Sequence, residues 1–295
     1  MITELPKISI VTPSYNQGQY LEQTICSVLD QEYPNLEYIV IDGGSTDNST
    51  EIIKKYADQL SYCESVPDKG QYHAINKGFQ HSTGDIMAWL NSDDMYMPWT
   101  LKTVADIFQN MPDENWITTV FPIWWDEQGR AIRCTYNAGF TKKGFFRGEF
   151  FPGYGPFGKY NIQQESTFWR RSLWETAGSS LDEQYLHAGD FELWARFYQH
   201  ADLLGVETIL AGYRRHKNQK CKTVFDAYFE ESKQIAKAYG IRRYTKFETF
   251  LLMKLTFTIS DFLKQVAKKC GLLYPRSFAR NYGWGHTWYK ETIKY

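Results

Sequence analysis

The sequence predicts an α/β fold: a mainly parallel sheet with helices on both faces, followed by a helical C-terminal extension. Three observations predict it. Short β-rich runs alternate with helical stretches through the first hundred residues, the rhythm of βαβ units. Those runs end in clusters of Asp, Asn, Gly and Ser, the residues of turns and of ligand loops at the carboxyl ends of parallel strands. Residues 222–240 and 247–266 then place apolar side chains at helical spacing.

The elements follow in order. Ile8-Ser9-Ile10-Val11 is a short strand that stops at Thr12-Pro13. Tyr20, Leu21, Ile25, Val28 and Leu29 share one face of a helix over 18–30. Tyr38-Ile39-Val40-Ile41 is a second strand ending in Asp42-Gly43-Gly44-Ser45, and Ser45 or Asp47 suits the cap of a helix carrying Ile52, Ile53 and Tyr56. A third strand ends near Ser65 and leads to Asp68-Lys69-Gly70 and a helix over 71–82. Ile86-Met87-Ala88-Trp89-Leu90 is a fourth strand, and Pro98 opens a helix to about residue 110. Residues 116–162 are rich in Gly, Pro and aromatics and predict short strands at best. One helix is expected after Thr167 and another after Asp190. The last apolar stripe runs through Phe247, Phe250, Leu251, Leu255, Ile259, Phe262 and Val266.

With 295 residues and 43% hydrophobic content the chain can bury a sizeable core in one or two domains. Aromatics reach 17%, which composition alone assigns to a large aromatic core rather than to a sugar or base pocket. The net charge of −1 hides an asymmetry. Residues 1–241 hold 22 Lys/Arg and 31 Asp/Glu, whereas 242–295 hold 11 and 3, so a basic tail is expected to meet an anionic surface. The five cysteines show no metal-ligand spacing and read as free thiols of a reducing compartment. The N-terminus lacks the signal-peptide pattern, and no run reaches the ~20 apolar residues of a spanning helix. Asn48-Ser49-Thr50 reads as a helix start rather than a glycosylation site.

The acidic pair Asp93-Asp94, directly after a very apolar strand, carries the most chemistry. Adjacent carboxylates repel, so their burial needs a cation, and hard oxygen donors suit Mg²⁺ or Mn²⁺. Solvated carboxylates starting the helix near Pro98 are the alternative.

Taken together, Ile10-Val11-Thr12-Pro13-Ser14-Tyr15-Asn16, Ile41-Asp42-Gly43-Gly44-Ser45-Thr46-Asp47 and Asn91-Ser92-Asp93-Asp94 resemble family 2 glycosyltransferases of the GT-A fold, a Rossmann-like architecture. Gln163-Gln164-Glu165-Ser166-Thr167-Phe168-Trp169-Arg170-Arg171 and Gly189-Asp190-Phe191-Glu192-Leu193-Trp194 resemble the acceptor half of that family. The likeness spans about residues 5–220. It implies a catalytic domain over 1–220, with a nucleotide-sugar half (1–115) and an acceptor half (116–220), and a basic helical extension over 221–295.

The resemblance also implies residue roles. Thr12, Pro13, Tyr15, Asp42, Gly44, Ser45, Asp68, Asn91, Ser92 and Asp93 would line the donor. Asp93 with Asp94 nearby would coordinate a divalent metal, Mn²⁺ or Mg²⁺, bridging the diphosphate, and His216 would reach metal or diphosphate. Gln164, Glu165, Trp169 and Arg170 would stand on the acceptor side. Asp190 would be the catalytic base of an inverting transfer from a UDP- or dTDP-sugar, more than a GDP-sugar, to a hydroxyl of a saccharide or lipid-linked saccharide. Asn91 replaces the first Asp of the family's DxD motif and leaves one anionic ligand fewer. By their residue types alone, His216 reads as a surface histidine, Asp190 as a helix N-cap, and Arg170-Arg171 as a helix-end charge pair.

The expected setting is cytoplasmic, with the basic segment open to peripheral contact with the inner face of the membrane. No nucleic-acid partner is expected, and a homo-oligomer is left open. Gly153-Tyr154-Gly155-Pro156-Phe157-Gly158 matches GxGxxG, but no strand precedes it and Pro156 interrupts it. The competing functions are a nucleotidyltransferase releasing pyrophosphate and a nucleotide-sugar-binding protein without turnover.

Overall fold

Ile8–Ser14 forms β1, whose seven residues are all buried, so both of its faces must be covered. The computed structural model that shows this describes residues 4–152, 162–217, 219, 225–242, 245, 276–281 and 287–293. Gly18–Leu29 (α1) follows, then Leu36–Asp42 (β2), Ser49–Tyr56 (α2), Tyr62–Ser65 (β3), Gln71–Gln80 (α3), Ile86–Trp89 (β4), Met95–Tyr96 (β5) and Thr100–Asn110 (α4). The βαβ reading of the first hundred residues therefore holds for β1–β4 and α1–α4, with ends shifted by a few residues, while the two-residue β5 is not read from the sequence.

The second half adds Trp116–Thr119 (β6), Ile123–Trp125 (β7), Ala131–Cys134 (β8), Lys142–Phe146 (α5), Phe168–Arg170 (β9), Arg171–Thr176 (α6), Gly189–His200 (α7), Leu204–Val206 (β10), Ala211–Arg214 (β11) and Phe225–Tyr239 (α8). Arg276–Arg280 (β12) and Tyr289–Ile293 (β13) close the chain. The main sheet has the order β13-β12-β10-β6-β9-β4-β1-β2-β3. Its pairs are parallel except those of β9 with β4 and β6 and of β12 with β13. A smaller sheet, β5-β11-β7-β8, lies beside it.

Two expectations are corrected here. The stretch after Thr167 enters as strand β9, not as a helix. It fills the gap between β4 and β6, where Trp169 pairs with Met87 on one side and Trp116 on the other, and α6 begins only at Arg171. The C-terminal region is helical over α8, but β12 and β13, inside the 221–295 extension expected to be helical, add to the main sheet. The stripe from Phe247 to Val266 and the GxGxxG match at 153–158 lie outside the described residues.

The aromatic excess goes into the core. Trp89 stacks on Trp194 at 5.9 Å, Trp194 on Trp116 at 5.5 Å, and Trp169 meets Trp89 edge-on at 5.5 Å. Such pairs add about 0.5–1.5 kcal/mol each beyond their burial.

An internal ion pair anchors β12. Arg276 Nη2 lies 3.0 Å from Glu149 Oε2, Nη1 donates to the carbonyl of Gly139, and both side chains are buried. Glu149→Ala leaves that guanidinium buried without its counter-charge. It is expected to destabilise by about 3–5 kcal/mol, whereas Glu149→Leu combined with Arg276→Met costs much less. Denaturant unfolding of the three proteins checks this. A single variant as stable as the double would mean that the pair anchors nothing.

Candidate active site

The parallel pairing of β1 with β2 and β4, and of β2 with β3, brings Ser14, Asp42, Ser65 and Leu90 to one sheet edge. The loops beyond that edge build the site. Tyr15 projects there with 62% of its surface exposed, an open ring beside the β2 loop. Asn16, held at φ 51°, accepts the amide of Thr46 at 2.8 Å, and its own amide donates to Ser45 Oγ at 2.8 Å. Asp47 accepts the amides of Gly18 and Ser49, so the first amide of α2 is met by Asp47 rather than Ser45.

Asp42 is fully buried and works on its own loop. Its carboxylate accepts the amides of Gly44 (3.1 Å) and Ser45 (2.8 Å) and the hydroxyls of Ser45 (2.5 Å) and Ser65 (2.6 Å). Asp68 accepts the amide of Gly70 at 2.7 Å and lies against Gly43, where a Cβ would stand 2.9 Å from its Oδ2. Gly43 thus lets the second and third loops touch. Of the other residues expected at the donor, Gly44 turns the β2 loop with φ 80°. Thr12 instead pairs its hydroxyl with that of Tyr38 inside the core at 3.0 Å. Pro13 and Ser92 are buried, and Ser92 meets Thr24 through its carbonyl.

Asn91 joins donor and acceptor sides. Its amide nitrogen donates to Asp94 Oδ2 (3.2 Å) and Gln164 Oε1 (3.1 Å), and its oxygen accepts from Gln71 Nε2 (2.7 Å). Asn is neutral and both donates and accepts, so it can bridge a carboxylate and two amides at this crowded position.

Register explains what surrounds the acidic pair. β11 runs antiparallel to β5, with Ala211 opposite Tyr96 and Gly212 opposite Met95. Continuing that register sets Arg214 against Asp93. The amide of Arg214 donates to Asp94 Oδ1 at 2.8 Å, its Nε donates to the carbonyl of Asp93 at 2.6 Å, and its guanidinium lies 4.9 Å from the Tyr20 ring. The cation expected beside the acidic pair is therefore partly the chain's own. Burial, reinforced by the charges of Asp93 and Glu165, also pushes the Asp94 carboxyl well above the usual range.

His216 is not a surface residue. It is buried, its ring 4.7 Å from that of Tyr20, and its Nε2 lies 2.9 Å from Asp93 Oδ2. Among the described residues no three His, Cys, Asp or Glu side chains gather as a metal site. The Asp93–His216 pair still fits a smaller role. Neighbouring ligands of an octahedral Mg²⁺ or Mn²⁺ stand about 3 Å apart, and such ions take their remaining ligands from phosphates and water. Asp93 keeps 18% of its side chain open to receive them, whereas the Asp94 carboxyl is closed off.

On the acceptor side, a short 3₁₀ turn over Gln164–Ser166 precedes β9 and lies at the carboxyl end of β4. Gln164 donates to the carbonyl of Trp89 at 2.7 Å. Glu165 is buried, which pushes its carboxyl up to about 7, with the charges of Asp93 and Asp190 adding to the effect. It therefore lies within electrostatic reach of both aspartates. Trp169 and Arg170 do not join them. Trp169 is core, and Arg170 donates to the carbonyls of Phe108, Met111 and Glu114 near the end of α4. β9 runs antiparallel, so its last residue faces Ile86, at the far end of β4 from the site. Arg170 is thus a helix-end residue.

Asp190 is the second residue of α7, and Ala188 holds the N-cap position. Asp190 Oδ1 accepts the adjacent amide of Phe191 at 2.8 Å, from inside the first turn rather than from the N-cap position. It lines a small cleft with Phe145, Phe150, Ile162, Phe191, Trp194 and Tyr228. Burial there, with Glu231 nearby, pushes its carboxyl up to about 6. Glu192 is otherwise engaged: Arg196 holds it at 2.7–3.0 Å, and Tyr239 donates to it at 2.5 Å.

Sequence reasoning did not single out Tyr20, Gln71 or Arg214. Tyr20 read as one more apolar helix residue and Gln71 as an ordinary helix start. Arg214 sat in a visibly basic run, but only β-pairing ties it to Asp93.

Residues 9–152 match the family model described as glycosyl transferase family 2. An uncharacterized glycosyltransferase of Nostoc sp. is 37% identical over 112 residues, 35% of this chain and 33% of the relative, so this match spans a third of that protein. One of Rickettsia prowazekii is 24% identical over 268 residues, 91% of this chain and 82% of the relative. The putative teichuronic acid biosynthesis glycosyltransferase TuaG of Bacillus subtilis is 36% identical over 94 residues, 31% of this chain and 37% of that one. Among solved structures, S. aureus TarS 1-349 in complex with UDP-GlcNAc superposes with a TM-score of 0.60 at 16% identity over 85% of this chain and 73% of that one. The mannosyltransferase PcManGT of Pyrobaculum calidifontis, in complex with GDP-Man and Mn²⁺, gives 0.53 at 16% identity over 92% and 81%. The two structures share the α/β architecture expected of this chain, and family and relatives together support a glycosyltransferase.

Proposed function

We propose that this chain, whose residues 9–152 carry the family 2 glycosyltransferase match, moves a sugar with inversion from a nucleoside diphosphate sugar to a hydroxyl acceptor. The observation that carries the proposal is the Asp93–His216 pair, 2.9 Å apart beyond the carboxyl end of β4. The buried Glu165 carboxyl is pushed up by burial and by the charges of Asp93 and Asp190.

The first pair belongs to the leaving group. Asp93 and His216 would hold Mn²⁺ or Mg²⁺, which when bound neutralises charge on a departing diphosphate. Tyr15, Asp68 and the Asp42 loop offer a ring, a carboxylate and ordered amides to base and ribose. Asp42 acts through the amides it orders, because its own oxygens are occupied. Asp190 serves as base: its carboxylate withdraws the acceptor proton as the hydroxyl attacks. One base and one displacement invert the anomeric centre.

A UDP- or dTDP-sugar is the preferred donor. A saccharide or lipid-linked saccharide of the cell surface is the preferred acceptor, in keeping with the teichuronic acid relative. A thermal-shift panel of UDP-, dTDP- and GDP-sugars with and without Mn²⁺ tests the donor site. The correct donor at ~100 times its Kd is expected to stabilise by roughly 2.7 kcal/mol, and a panel with no metal-dependent shift would sink the proposal.

The basic stretch after residue 241 suits the cytoplasmic face of a membrane, each Lys or Arg near anionic lipid adding about 1 kcal/mol. No helix among the described residues is long and apolar enough to cross one. Flotation with anionic liposomes is expected to carry the protein upward at low salt and not at high salt. Equal recovery with neutral and anionic vesicles would refute the contact.

A further inference from the structure

The loop that leads into Asp190, the second residue of α7, is held in part from outside the family match, and the geometry points to Glu231 of α8 as the positioning residue for Asp190. This inference rests on the reading of Asp190 as base. Glu231 Oε1 accepts the amide of Leu186 at 3.0 Å, and Oε2 accepts those of His187 (2.9 Å) and Ala188 (2.8 Å). Three consecutive amides converging on one carboxylate form an anion nest, and this one opens directly into the first turn of α7. Ala188 at the N-cap supplies no capping side chain, and its own amide is met by Glu231 from another helix.

The same loop is gripped from the donor half by α3. Tyr72 donates its hydroxyl to the carbonyl of His187 at 2.8 Å. One turn on, Asn76 exchanges hydrogen bonds with both the amide (2.7 Å) and the carbonyl (2.9 Å) of Leu181. Gly189 lets Tyr72 come this close, since a Cβ there would stand 2.7 Å from its ring. Asp190 thus follows a segment clamped by α8 on the amides of 186–188 and by α3 on the carbonyl of His187 and on both backbone groups of Leu181.

Glu231 also acts on the Asp190 carboxyl through charge, a second carboxylate behind the first resisting its ionisation. Among the described residues, the other ionisable groups around Asp190 are Tyr72 from α3, Glu165 from the 3₁₀ turn and Tyr228 from α8. Glu231 is the group that joins the loop's amides to that field.

The test compares wild type with Glu231→Gln, Glu231→Ala, Asp190→Asn and Glu231→Ala combined with Asp190→Asn. Two readouts need no substrate. Amide exchange at 186–188 is expected to quicken at least about tenfold in Glu231→Ala, the loss of a charged hydrogen bond. Carbon-13 titration of Asp190 is expected to show its midpoint falling in Glu231→Gln, because a negative neighbour is removed. With the nucleotide sugar that shifts melting in the panel, Glu231→Ala is expected to lose about 10- to 100-fold in kcat with donor KM within about twofold, and to add no further loss to Asp190→Asn. Unchanged exchange and an unmoved Asp190 midpoint overturn the assignment, as do losses that multiply in the double variant. Failure of the base reading is separately visible as full turnover by Asp190→Asn.

Discussion

Asp190→Asn is expected to lower turnover by roughly 10²–10⁴-fold while leaving donor affinity within about twofold. The amide keeps the size and shape of the carboxylate but cannot take the acceptor's proton. At 1.36 kcal/mol per decade the loss is about 2.7–5.4 kcal/mol of transition-state stabilisation. The pH profile supplies an independent check. Burial holds the Asp190 carboxyl up to about 6, so the base is mostly ionised at pH 7 and is progressively protonated below pH 6. Wild-type turnover should therefore rise tenfold per pH unit up to about 6 and then level off. The Asn variant should lose that limb together with the rate. Glu192 is no substitute, since Arg196 and Tyr239 occupy its oxygens. Turnover above about a tenth of wild type in Asp190→Asn would transfer the role to Glu165, whose carboxyl, held up to about 7, would give a limb one unit higher.

Asp93→Ala is expected to abolish the Mn²⁺-dependent part of nucleotide binding and to leave the fold intact. Asp93 contributes its open carboxylate to the Asp93–His216 pair, while its contribution to packing is made by its backbone: the carbonyl accepts Arg214 Nε at 2.6 Å, and alanine keeps it. Removing even an outer-shell partner of a metal ligand typically costs 10–100-fold in metal affinity, so loss of one of two protein ligands should cost at least about 100-fold. Melting with nucleotide in the presence of Mn²⁺ should fall to the value seen for wild type in EDTA. Asp94→Ala should behave oppositely. Its carboxyl is buried and receives the amide of Arg214, so its loss leaves a donor unpaired and lowers stability by about 1–3 kcal/mol with or without metal. Wild-type affinity that ignores EDTA, unchanged in Asp93→Ala, would remove the metal from the proposed function.

Much of the first half was legible because its signals are local. A parallel strand covered on both faces reads as an unbroken apolar run, as in Ile8–Val11, Tyr38–Ile41 and Ile86–Leu90, and the polar cluster after each run marks the ligand edge. The gathering of Asp42, Asp68 and the Asn91–Asp94 stretch at one sheet edge is legible in this way without knowledge of what they touch. Trp169 and Arg170 were drawn toward the site by their motif. A three-residue strand carries no readable period, and its antiparallel insertion beside β4 sends them to the core and to the far end.

The sequence by itself determined the order of strands β1–β4 and helices α1–α4, the loops that carry polar chemistry and the aromatic bulk of the core, because these depend on neighbours a few residues apart. Tertiary structure alone decided which charges meet. Arg214 reaches Asp93 and Asp94 across some 120 residues through the β5–β11 register, His216 pairs with Asp93, and Glu231 holds the amides before Asp190 from a helix 44 residues downstream. Such contacts leave no period or spacing in the chain, since they are set by the packing of whole elements whose positions depend on one another.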